Sequence, residues 1–127
     1  MDWLKKIGKI YKKEGNDIYI KIDVNNLQST IKTIKDNKIS HITAITGTDT
    51  KKEIEVIYHF WTGKQMINIK TTINRNLPKI KTITKDFPGA MLYEMELAEM
   101  LGIQVEGARK EHLLLAKESP IYPLRRD

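Results

Sequence analysis

Three carboxylates, Glu94, Glu96 and Glu99, stand close together in YEMELAEMLGIQVEG, residues 93–107. That stretch holds four of the chain's sixteen acidic residues and no lysine or arginine. Two carboxylates whose environments split their pKa values could divide general-acid and general-base work. On a helix, however, positions 94 and 96 point about 200° apart, so only Glu96 and Glu99 share a face. No histidine or further acid falls at matching spacing in that helix. The stretch therefore does not make a catalytic constellation.

The other reactive residue types are equally dispersed. His41 and His59 fall on expected strands and His112 in the C-terminal segment, without H-x-H or H-E-x-x-H spacing, so no metal site is expected. Neither G-x-G-x-x-G nor G-x-x-x-x-G-K-[ST] occurs, and Ser29, Ser40 and Ser119 lack a nucleophile-elbow context. With no cysteine in the chain, disulfides, thiolate metal sites, cysteine nucleophiles and directly ligated iron–sulfur clusters are excluded. The expectation is a chain with no catalytic, cofactor-binding or metal-binding residues of its own.

The charge pattern points instead to surfaces. The 127 residues carry a net charge of +6, and the charge is unevenly placed. Residues 62–85 hold Lys64, Lys70, Arg75, Lys79, Lys81 and Lys85 and no acid. Residues 86–106 hold Asp86, Glu94, Glu96, Glu99 and Glu106 and no base. Adjacent blocks of opposite sign usually mark an interaction surface. A basic nucleic-acid-binding α+β domain is the alternative reading, favoured by the pI near 9.4 and by Trp61. Against it stand the acidic helix, which repels phosphate, and the lack of an RNP-like aromatic pair.

The elements that must position these groups follow from periodicity. MDWLKKIGKIYKKE, residues 1–14, spaces Trp3, Leu4, Ile7, Ile10 and Tyr11 as one face of a basic amphipathic helix, ended by Gly15-Asn16-Asp17. DIYIKIDV alternates as a strand, with Tyr19 and Lys21 opposite Ile18, Ile20 and Ile22. NNLQSTIKTIKDNK spaces Leu27, Ile31 and Ile34 as a helix with an asparagine available as N-cap. Residues 39–46 form a strand ended by Gly47, and EIEVIYHFW and MINIKTTI form a hairpin around TGKQ. The stretch 79–87 is ambiguous between strand and helix. Ala90 to Leu101 is a helix that Gly102 terminates.

The resulting order is β-α-β-β-β-α. It defines an α+β fold with a mostly antiparallel sheet, helices packed on it and an extended C-terminal tail. The expected divisions are a basic N-terminal helix (1–15), an α+β domain (16–107) and a partner-binding tail (108–127). No apolar run approaches the roughly 20 residues a bilayer span needs, and no signal peptide is evident.

DFPGAMLYEMELAEMLGIQVEG followed by PLRRD resembles the C subunit of respiratory complex I and its relatives. In that family a helix of the form W-x-E-R-E-x-x-D-x-x-G-I-x-F-x-G-H-P precedes a closing P-L-R-K-D. Pro88, Ala90, Glu94, Glu96, Gly102, Ile103, Glu106 and Gly107 fall in register, as do Pro123, Leu124, Arg125 and Asp127, with Arg126 in place of lysine. The similarity covers about residues 16–127. Met95 departs from the arginine, Glu99 from the aspartate and Val105 from the aromatic, and ARKEHLLL lacks H-P-x-L-R-R. This shorter, divergent form is more similar to the D subunit of Ech-type, energy-converting, membrane-bound [NiFe] hydrogenases.

The resemblance implies a cofactor-free, non-catalytic subunit. It would dock on a [NiFe]-hydrogenase-like large subunit and an iron–sulfur small subunit, on the cytoplasmic side and peripheral to the membrane through those partners. Tyr93, Glu94, Glu96, Gly102, Ile103, Glu106, Gly107, Pro123, Leu124, Arg125 and Arg126 would form the partner-binding set. Whether the isolated chain dimerises through a free sheet edge stays open.

Overall fold

Strict alternation makes the hairpin. In β4 (Glu53–Trp61) and β5 (Met66–Asn74) every second side chain from Ile54 to Phe60 and from Ile67 to Ile73 is buried, because successive strand side chains point to opposite faces. The computed structural model describes residues 3–107. Before the hairpin come α1 (Leu4–Ile7), β1 (Lys9–Glu14), β2 (Asp17–Lys21), α2 (Leu27–Asp36) and β3 (Ile42–Asp49). After it come β6 (Lys79–Lys81), α3 (Met91–Leu101) and β7 (Gln104–Glu106). Single 3-10 turns, Val24–Asn26 and Pro88–Ala90, lead into α2 and α3.

The fold is α+β with a mostly antiparallel five-stranded sheet of order β1-β2-β5-β4-β3. The one parallel pair within it is β2 with β5, in register from Asp17↔Met66 to Lys21↔Lys70. Ile20, Ile54, Val56, Tyr58, Phe60, Ile67 and Ile69 join Leu27, Ile31 and Ile34 of α2 and Leu97, Ala98 and Leu101 of α3 in one core. Both helices thus bury an i, i+3, i+4, i+7 stripe. The sheet's other face is left half-exposed.

The helix expected over residues 1–14 is corrected. Among the described residues of that stretch only Leu4–Ile7 is helical, and Lys9–Glu14 is an edge strand paired antiparallel with β2. Gly8 sits fully extended, and a Cβ there would lie 2.5 Å from the carbonyl oxygen of Lys21. The glycine therefore lets the chain run tight against β2. Gly15, at φ +59°, is the first residue of a two-residue turn between Glu14 and Asp17, where only glycine is unstrained. A helical spacing of apolar residues has yielded to the pairing that this turn supplies.

Two boundaries also move and one ambiguous stretch is resolved. β2 ends at Lys21, and the Asp23 side chain, not an asparagine, takes a backbone N–H (Asn25, 2.8 Å) at the start of the turn into α2. β3 runs through Gly47 to Asp49, because its pairing with β4 continues to Asp49↔Ile54, and a Cβ at Gly47 would meet Leu101 and Leu97 at 2.5 and 2.8 Å. Gly47 brings α3 close to the sheet instead of ending the strand. Finally, the ambiguous stretch after Pro78 contains β6, which pairs parallel with β7 in a separate two-stranded ribbon.

Candidate partner-docking site

Helix α3 begins where Pro88 fixes the first turn and ends where Gly102, at φ 72° and ψ 23°, adopts the left-handed conformation and donates its N–H to Ala98 O. Its inward stripe is Ala90, Glu94, Leu97, Ala98 and Leu101. Glu94 thus occupies a core position. Placed with Glu96 in the expected docking set, it is instead turned inward and is 1% exposed.

A buried carboxylate needs donors, and the segment after β6 supplies them. Glu94 Oε2 accepts the Ile83 N–H at 2.8 Å, and Oε1 accepts the Thr82 hydroxyl at 2.6 Å. The Thr82 oxygen in turn accepts the Thr84 N–H at 3.2 Å and lies 2.9 Å from the Thr84 hydroxyl. As a first-turn residue of α3, Glu94 also faces the positive end of the helix dipole. Burial, and secondarily the Glu94 charge, push the Tyr58 phenol well above its usual pKa.

The β6–β7 ribbon closes the far end of this unit. Thr82 N–H donates to Glu106 O at 2.8 Å and Gln104 N–H to Pro78 O at 2.7 Å. Ile103 and Val105 are buried, while Glu106 and Gly107 are exposed. Gly107 takes φ +81°, with Thr82 Cγ2 3.3 Å from where a Cβ would stand. The outward side of α3 presents Leu92, 69% exposed, and Glu96, flanked by half-buried Met91, Tyr93, Met95 and Glu99. Of the expected docking residues, Tyr93, Glu96, Glu106 and Gly107 therefore reach the surface, and Glu94 and Ile103 lie inside. Pro123, Leu124, Arg125 and Arg126 lie outside the described residues, as does His112.

On the sheet's open face His59 has partners on both ring nitrogens. Asn68 donates its amide to Ile18 O at 3.1 Å, which leaves its Oδ1 to accept from His59 Nδ1. His59 Nε2 lies 3.0 Å from the Thr46 hydroxyl. This polar chain ties β3, β4, β5 and β2 together. Among the described residues no group of three or more His, Asp or Glu side chains is placed to hold a metal ion, and no helix is long and apolar enough to cross a membrane.

A mixed sheet with helices on one face, an inward glutamate that fastens a loop and a small parallel ribbon together define an α+β domain of distinctive design. The chain belongs to the family of the respiratory-chain NADH dehydrogenase 30 Kd subunit, which it matches over residues 20–127. It is 25% identical over 109 residues to the C subunit of NADH-quinone oxidoreductase from Roseiflexus sp., covering 84% of this chain and 63% of that one. It is 26% identical over 129 residues to the C/D subunit of the same enzyme from Salmonella heidelberg, covering 99% of this chain and 19% of that one. The chain thus spans less than two thirds of the length of these relatives.

Two solved structures share the fold. One is a chain of the membrane-bound sulfane sulfur reductase, an archaeal respiratory membrane complex, with a TM-score of 0.77 at 20% identity, covering 86% of this chain and 69% of that one. The other is a trypsin-resistant fragment of Nqo5, with a TM-score of 0.75 at 15% identity, covering 86% and 93% respectively.

Proposed function

We propose that this chain is a non-catalytic structural and assembly subunit of a multisubunit, membrane-associated oxidoreductase. In that role it docks on a [NiFe]-hydrogenase-like large subunit and an iron–sulfur small subunit, as in Ech-type energy-converting hydrogenases, and binds no cofactor itself. It sits on the cytoplasmic side and meets the membrane only through its partners. The observation that carries this reading is the family match, which runs from β2 to the last residue.

The surface of α3 supports it. Leu92 and the flanking methionines offer adaptable apolar contact, and Glu96 and Glu106 are free to accept hydrogen bonds from a partner's arginine or lysine. Residues 108–127, with Arg125 and Arg126, supply a second docking segment in this scheme, and residues 16–107 the domain that carries it. Glu94 acts indirectly, by holding the segment after β6 against α3.

The test is affinity purification of the tagged chain from gently solubilised native membranes, with co-purifying chains identified by mass spectrometry. A [NiFe]-hydrogenase-like large subunit together with an iron–sulfur subunit is the expected result, lost on Glu96→Ala with Glu106→Ala. Recovery of nucleic acid or ribosomal proteins that survive moderate salt would overturn it.

A further inference from the structure

The open face of the sheet carries a row of like charges that the domain's own stability does not explain. Lys9 of β1 pairs directly with Lys21 of β2, and Lys21 pairs directly with Lys70 of β5. Residues directly opposite in register point to the same face, so the three lysine side chains leave one face of the sheet from three adjacent strands. Like charges so placed destabilise a sheet.

Lys70 is partly compensated, with Glu55 at 3.4 Å and the Tyr11 ring centroid at 4.9 Å. Lys9 and Lys21 have no ion-pair partner among the described residues. Protection of a sheet edge accounts for lysines on β1. It does not account for Lys21 or Lys70, which stand on inner strands. Lys9, Lys21 and Thr72 also line a depression of about 430 Å³, rimmed by Ile22, Asp23 and Val24. Two residues away along β1 and β2, the Tyr11 and Tyr19 rings lie 6.1 Å apart and supply a half-exposed apolar wall.

We propose that Lys9, Lys21 and Lys70 form a docking surface for an acidic helix of a partner protein, laid across β1, β2 and β5. The spacing fits, since strands stand about 4.8 Å apart and carboxylates at i, i+4 and i+7 of a helix about 5–6 Å apart. A phosphate backbone or a flat anionic membrane fits less well, because Asp23 at the rim and Glu55 on Lys70 would repel a continuous anion. The partner's being another subunit of the same assembly rests on the proposed function. The helix-binding chemistry does not.

The experiment uses the full chain and two labelled helical peptides of equal composition and about 20 residues. One carries glutamates in an i, i+4, i+7 stripe, and the other has them scattered around the helix. The striped peptide is expected to bind at least about tenfold more tightly in fluorescence anisotropy, and more weakly as salt rises. Lys9→Gln with Lys21→Gln should abolish that preference yet raise the thermal midpoint by about 2 °C or more, as repulsion is relieved. Equal binding of the two peptides, or a double variant with unchanged affinity, overturns the proposal. So does binding confined to phosphatidylglycerol vesicles or single-stranded DNA, or a lysine-dependent dimer in sedimentation, which would make a second copy the occupant. In native membranes, partners retained by the double variant at wild-type yield would sink this surface and leave the proposed function standing. A wild-type chain that recovers no partner would sink the function, while the peptides still decide the surface.

Discussion

Glu94 reaches back eleven residues to accept the backbone N–H of Ile83, a buried bond of 2.8 Å between the first turn of α3 and the segment after β6. Helix and segment are thereby fastened by a charge-assisted bond in a place where an unpaired group would be costly. Glu94→Ala should lower unfolding free energy by about 2–3 kcal/mol in urea titrations, with Glu94→Gln recovering part of it. A loss under about 0.5 kcal/mol would show that the tie is not needed for the fold.

A second buried tie joins β3 to the end of β5. Arg75 Nε stands 2.7 Å from Asp49 Oδ1, whose side chain is fully buried and also accepts the Lys51 N–H at 2.9 Å. Removing the guanidinium takes the Arg75 charge away from a buried carboxylate, so Arg75→Met should destabilise by about 3 kcal/mol. Adding Asp49→Asn should restore part of that loss. Chemical denaturation of the single and double variants checks the order.

Tyr58 links the core to pH. Its phenol is raised well above the usual value of 10.0, first by burial and then by the Glu94 charge. The folded state therefore holds the Tyr58 proton more tightly than the unfolded one, a contribution fully present below pH 10 and lost as pH rises through the folded value. Alkaline unfolding followed by circular dichroism should steepen above about pH 10 in wild type and be shallower in Tyr58→Phe. Identical profiles would remove Tyr58 from the account.

Thr71 is the reverse case. Its hydroxyl is buried without a hydrogen-bond partner among the described residues. Thr71→Val keeps the shape and removes the unsatisfied group, so stability should rise by about 1 kcal/mol. A thermal midpoint up by about 4 °C is the expected reading, and a fall would mean that the hydroxyl is satisfied in solution.

Close approach at Gly8 admits no such relief. A Cβ there meets a backbone carbonyl oxygen at 2.5 Å, whereas at Gly47 it meets leucine methyls that can shift. Gly8→Ala should therefore free β1 and speed amide exchange over residues 9–14, at a cost of about 2 kcal/mol. Gly47→Ala should leave exchange in β1 unchanged and cost less. Equal exchange in the Gly8 variant and wild type would contradict the packing.

Much of this was legible in the residues alone, and the limits have a common cause. The β4–β5 hairpin, the body of α2 and the termination of α3 by Gly102 all follow from local periodicity and local backbone preference. The register of helix and tail residues from Pro88 to Asp127 likewise sufficed to place the chain in its family, a grouping that the match over residues 20–127 shows. Local rules failed where partners are distant in sequence. KIYKKE reads as a helix until β2 is there to pair with it, and EMEL reads as a surface until Ile83 and Thr82 come round to meet Glu94. The alignment of Lys9, Lys21 and Lys70 depends on the register of three strands, one of them about fifty residues from the others. Sequence periodicity decides which side of an element is apolar, whereas only the packed sheet decides what lies opposite each side chain.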